Sequence, residues 1–174
     1  MNTKKYRVMI VEDEVTLRES IARKIEAFSP EFCIVGLAAD GKEALSLLSN
    51  CKPDIIITDI VMPVMNGLDF IKKALEMNIH AQFVVLSGYS DFDYAKKAMQ
   101  YGVRDYLLKP LSEKTLQELL LKLTNHIDHS TDKKSFYLHS LINSSFTPEV
   151  EDFFQNTTFY AMLICMGNHI PHRL

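Results

Sequence analysis

Five short apolar runs, each too short for a helix and each followed by residues at helical spacing, constrain this chain more than any other feature. The runs are residues 6–11 (YRVMIV), 32–38 (FCIVGLA), 54–58 (DIIIT), 83–86 (FVVL) and 105–108 (DYLL). The third is β-branched and continuously apolar at its centre, which suits a strand buried on both faces. After the first run, Val15, Leu17, Arg18, Ile21, Ala22, Ile25 and Phe28 recur with helical period, and Pro30 closes that segment. Asp40 is placed to cap a second helix through Ala44, Leu45 and Leu48, ended by Asn50 and Pro53. After a loop over residues 62–67, a third helix covers 68–77. Ser90 or Asp91 starts a fourth, which runs to Tyr101 and stops at Gly102, a natural left-handed position. Ser112 caps a long last helix through Leu116, Leu119, Leu120 and Leu123.

Strands alternating with helices in this way predict a parallel sheet covered on both faces. The expected fold class is α/β, a flavodoxin-like, doubly wound five-stranded sheet of order 2-1-3-4-5. This domain is expected over residues 1–129. Residues 130–135 (STDKKS) are polar and read as a linker, 136–143 as one or two amphipathic turns, 148–155 as a short helix, and 159–166 (FYAMLICM) as a strand. Residues 130–174 are therefore expected to be a linker and the incomplete start of a second module.

The formal charge of -3 argues against nucleic acid as the default partner. From residue 130 onward the bases Lys133, Lys134 and Arg173 are outnumbered by the acids Asp132, Glu149, Glu151 and Asp152, so no phosphate-binding face is expected and no DNA binding by this chain alone. No apolar run approaches the roughly 18 residues that span a bilayer, and the opening residues lack the apolar stretch of a secretory leader. The expectation is a cytoplasmic chain without membrane contact. Cys33, Cys51 and Cys165 form no C-x-x-C pair and read as structural thiols. His126 with His129, and His169 with His172, lack a third ligand in the sequence nearby.

The polar residues that carry chemistry sit at strand ends. Glu12 and Asp13 follow the first run, Asp59 the third, Ser87 the fourth and Lys109 the fifth. In an open parallel sheet these positions gather at the carboxyl edge, where such folds bind ligands. Three carboxylates against one lysine leave two negative charges. Two carboxylates about 4 Å apart repel by roughly 4 kcal/mol at an effective dielectric near 20. A divalent cation answers that charge, and oxygen-only donors select magnesium, with manganese as the alternative, over zinc.

Val11-Glu12-Asp13-Glu14, Ile57-Thr58-Asp59-Ile60-Val61-Met62-Pro63, Asn66-Gly67, Leu86-Ser87-Gly88-Tyr89 and Tyr106-Leu107-Leu108-Lys109-Pro110 together resemble the receiver domain of two-component response regulators, over roughly residues 5–128. Residues 87–95 (SGYSDFDYA) are most similar to receivers fused to an AraC-type helix-turn-helix output. The resemblance implies that Asp59 is a nucleophile that becomes an acyl phosphate. It implies that Asp13 and Asp59 hold magnesium directly, Glu12 through water, and Val61 through its main-chain carbonyl. Lys109 would pair with the phosphoryl oxygens and precede a cis peptide to Pro110. Ser87 would donate its hydroxyl to the attached group, and Tyr106 would turn inward as a switch residue. Val61 and Tyr89 fall where the family tunes hydrolysis. The implied partners are a sensor histidine kinase and an output controlling transcription, with room for a homodimer on phosphorylation. The chain would not be an enzyme beyond its own phosphorylation and dephosphorylation. A magnesium-dependent hydrolase is the competing class, but Asp59-Ile60-Val61 has no carboxylate two residues on, where a haloacid-dehalogenase-type phosphatase places its acid/base. A binding-only pseudo-receiver is disfavoured by the retention of Glu12, Asp13, Asp59, Ser87 and Lys109.

Overall fold

The structure, a computed structural model, describes residues 5–88 and 92–142, with 129–142 as helical backbone. The elements are β1 (Tyr6–Val11), α1 (Val15–Phe28), β2 (Phe32–Ala38), α2 (Gly41–Cys51), β3 (Ile55–Asp59), α3 (Gly67–Glu76), β4 (Gln82–Ser87), α4 (Phe92–Gln100), β5 (Asp105–Leu108) and α5 (Glu113–Ile142). All strand pairs are parallel, in the order β2-β1-β3-β4-β5, as the alternation predicts. The central β3 is buried throughout, and its Ile55, Ile56 and Ile57 have no solvent exposure. On α5 the stripe Leu116, Leu119, Leu120 and Leu123 is buried at helical spacing.

Local chemistry explains where the helices begin. The Asp40 carboxylate accepts from the Lys42 and Glu43 N–H groups at 2.7 and 3.0 Å, and Glu43 returns a bond from Ala39 N–H at 2.7 Å. This reciprocal capping satisfies amides that have no partner inside the helix. Asn66 Oδ1 accepts from Asp69 N–H, and Ser112 Oγ accepts from Thr115 N–H. Gly102 takes the left-handed φ of 71° expected of it.

The edge of the sheet away from the strand ends is closed by the chain's own charges. Asp54 accepts from Arg7 N–H, Nε and Nη2 at 2.9, 3.1 and 3.0 Å, and Asp54 N–H donates to the Arg7 carbonyl at 2.8 Å.

The expected linker over residues 130–135 is not an irregular segment. Its backbone is helical and continues α5. The run contains neither Gly nor Pro, and adding a residue to a formed helix is far cheaper than nucleating one. The chain divides into two compact units, residues 1–125 and 126–174, against the expected boundary after 129. The expected cap at Ser90 or Asp91, the short helix at 148–155 and the strand at 159–166 lie outside the described residues.

Candidate functional site

Glu12 and Asp13 follow β1 directly. Glu12 N–H donates to the Ala38 carbonyl at 3.0 Å, and the Arg18 guanidinium, from the first turn of α1, donates to the Glu12 carbonyl. Asp59 is the last residue of β3. Its Oδ1 accepts from Ile60 N–H at 2.7 Å, and its Oδ2 from Lys109 Nζ at 3.0 Å. Lys109, just past β5, has its main-chain N–H on the Ser87 carbonyl at 2.8 Å and a cis peptide to Pro110. One oxygen from each of Glu12, Asp13 and Asp59 falls within 4.8 Å of the others. Three strand ends thus place three carboxylates and one ammonium together, as the sequence predicts.

These groups line an open cavity of about 290 Å³, together with Glu14, Val61 and Gly88. Ser87 lies at the end of β4, buried and one residue from the cavity wall. Tyr106, on β5, is half-buried against the apolar core. Tyr89 falls outside the described residues. Glu14 and Gly88 were not among the expected site residues. Glu14 had a signal, being the third acid in an unbroken run, whereas Gly88 offers no side chain to read.

The electrostatics are unfinished. Glu12 is only 1% exposed. Burial pushes its carboxyl above the usual carboxylate range and the Asp59 charge adds to this, while the Lys109 ammonium opposes it. Burial alone would lower the Lys109 pKa, but the pairs with Glu12 and Asp59 outweigh it and raise the net value. Lys109 Nζ stands 2.7 Å from Glu12 Oε2. That ammonium is shared with Asp59 Oδ2 at 3.0 Å, so one cation serves two carboxylates. Buried like charges compensated only in part are costly. The arrangement fits a hard divalent cation, because it offers three clustered carboxylate oxygens and negative charge in excess of its one lysine.

A five-stranded sheet of this order, with acids and a lysine at its carboxyl edge, is the CheY-like fold of two-component signal receivers. The chain belongs to the response regulator receiver domain family, whose model matches residues 8–121. It is 38% identical over 155 residues to the transcriptional regulatory protein YesN of Bacillus subtilis, covering 79% of this chain and 42% of that protein. It is 33% identical over 155 residues to the transcriptional regulatory protein HptR of Staphylococcus aureus, covering 87% of this chain and 60% of that protein. The chain therefore spans about half the length of these relatives. Among solved structures, the receiver domain of AraT, a response regulator from Geobacillus stearothermophilus, superposes with a TM-score of 0.66 at 34% identity, covering 72% of this chain and 98% of that one. No helix among the described residues is long and apolar enough to cross a membrane.

Proposed function

We propose that this receiver is a magnesium-dependent switch that accepts a phosphoryl group on Asp59 from the phosphohistidine of a sensor kinase. The observation that carries the reading is the Asp59 carboxylate itself. It is held at one oxygen by Ile60 N–H and at the other by Lys109, and it faces a cavity whose other acids are Glu12, Asp13 and Glu14. An Asp59 oxygen attacks phosphorus, and the new O–P bond forms as the P–N bond to the donor imidazole breaks. The electron pair of that bond leaves with the donor nitrogen. Lys109 is placed to balance charge on the phosphoryl oxygens. Asp13 and Asp59 would hold magnesium directly, Glu12 through water, and Val61 through its carbonyl. The ion would supply charge neutralisation between the acids and the incoming phosphoryl group.

Once the group is attached, the Ser87 hydroxyl donates to a phosphoryl oxygen, and Tyr106 follows into the space Ser87 leaves. Moving such an equilibrium from 1:99 to 99:1 takes about 5.5 kcal/mol of differential binding. Charge-assisted bonds from Ser87 and Lys109 are together of that order. The output is transcription, in line with what YesN and HptR are named for. It would act through an AraC-type module that begins after the receiver (residues 1–129), with residues 130–174 as linker and first portion. A second copy of the phosphorylated receiver is a further partner.

The test is mass detection of phosphorylation by acetyl phosphate, with and without magnesium. Wild type should gain one acid-stable, hydroxylamine-labile phosphoryl group only with the metal, and Asp59→Asn should gain none. Equal labelling of Asp59→Asn and wild type would refute the acceptor assignment.

A further inference from the structure

Thr58 is fully buried in an otherwise isoleucine-rich strand, where valine would fill the same space without a polar atom. A buried hydroxyl is tolerated only when it is bonded. Its Oγ1 donates to the main-chain carbonyl of Asp59 at 2.9 Å. That carbonyl belongs to the peptide unit whose other end, Ile60 N–H, donates to Asp59 Oδ1 at 2.7 Å. One amide is therefore gripped at its oxygen by Thr58 and itself grips the Asp59 carboxylate through its hydrogen. The two bonds reinforce each other, because accepting at the carbonyl polarises an amide and strengthens its N–H as a donor. The same peptide unit is confined from outside, because the Gly67 α-carbon packs so close that an added Cβ would lie 1.9 Å from the Asp59 oxygen. The next carbonyl along, that of Ile60, accepts from Gly67 N–H at 2.9 Å and holds the glycine there.

We infer that Thr58 is a positioning residue for Asp59: through the Asp59–Ile60 amide, its hydroxyl fixes the carboxylate's rotamer and commits Oδ1 before any ligand arrives. The inference rests on Asp59 being the phosphoryl acceptor. It adds that the residue preceding the acceptor sets how well that acceptor reacts, without touching phosphorus or metal. Thr58→Val keeps the shape and removes the donor, and Thr58→Ser keeps the donor and removes a methyl.

The experiment measures the initial rate of labelling by acetyl phosphate in magnesium, alongside the backbone amide proton shift of Ile60 by NMR in each full-length variant. Thr58→Val should label about tenfold more slowly, a loss matching one neutral hydrogen bond. Its Ile60 amide proton should move upfield as the bond to Oδ1 weakens. Thr58→Ser should stay within about twofold of wild type and keep the downfield shift. Should Thr58→Val not fold, Thr58→Ala against Thr58→Ser makes the same comparison, with the loss expected only in Ala. A wild-type rate and an unmoved Ile60 shift in the hydroxyl-free variant would overturn the inference, as would an equal loss in Thr58→Ser, which would assign the effect to packing. Failure of the acceptor reading is distinguishable, because wild type would then be labelled no better than Asp59→Asn, while the Ile60 shift still reports on the amide.

Discussion

Gly67→Ala puts the closest approach in the site under direct test. The glycine is needed for space. Its added Cβ would stand 1.9 Å from the Asp59 carbonyl oxygen and 3.0 Å from Thr58 Oγ1. Real Cβ contacts essentially never fall below 3.0 Å, so about 1.1 Å must be found by moving backbone. Overpacking of this kind costs roughly 1–3 kcal/mol. The alanine's smaller unfolded-state entropy returns roughly 0.4–1 kcal/mol. A net loss of about 1–2 kcal/mol should appear as a lower urea midpoint with an unchanged slope. The functional loss should be larger than that stability change suggests, because a displacement near 1 Å at a reacting group costs on the order of 10²-fold in rate. Labelling by acetyl phosphate should therefore fall about a hundredfold in protein that is still mostly folded. Gly36→Ala is the comparison. Its Cβ meets the flexible end of Met9 at 2.8 Å, which can turn aside, so both stability and labelling should fall less. A Gly67→Ala protein with wild-type midpoint and labelling rate would refute the close-approach argument.

Two further outcomes follow from the same region. Val64 has a φ of 62° in the loop after Asp59 and is largely exposed. A β-branched residue pays roughly 1–2 kcal/mol there, so Val64→Asn should raise stability by about 1 kcal/mol in urea unfolding, and an unchanged midpoint would deny the strain. Glu12→Gln should make the metal-free protein more stable at neutral pH. The folded carboxyl titrates above its ordinary 4.5, so its stabilising contribution is complete below 4.5 and lost as pH rises through the folded value. The advantage of Gln should accordingly vanish below 4.5 and reverse in saturating magnesium; a constant gap across that range, by thermal melts at several pH values, would contradict it.

The carboxyl edge was legible because a parallel sheet sends every strand end to the same side. Four runs ending near Glu12, Asp59, Ser87 and Lys109 then fix a site with no knowledge of any side-chain angle. Finer features depend on directions that residue type does not carry. Thr58 reads as a β-former, and nothing in DIIIT says which way its hydroxyl points. Ser87 reads as a strand-end polar group, yet it is buried behind the cavity wall. The stretch STDKKS was read as linker because it is polar, but polarity reports exposure to water and not loss of helix. With no Gly or Pro to stop it, α5 carries on.

The strand order also works as a wiring order. Among the described residues, Asp59 ends the one strand that is buried along its whole length, and that strand pairs with β1 on one side and β4 on the other. Backbone paired on both sides has less freedom than an edge strand's, so a charge added at Asp59 would find little give beneath it. Toward β1 the sheet has a further strand and the acids' own tethers behind it. Toward β4 it has Ser87, whose carbonyl is tied to Lys109, and then β5, a four-residue edge strand without a fully buried residue. Displacement begun at the centre would find its more compliant direction outward, across β4 to the sheet's thin edge. A middle strand held on both sides would give such a disturbance its heading.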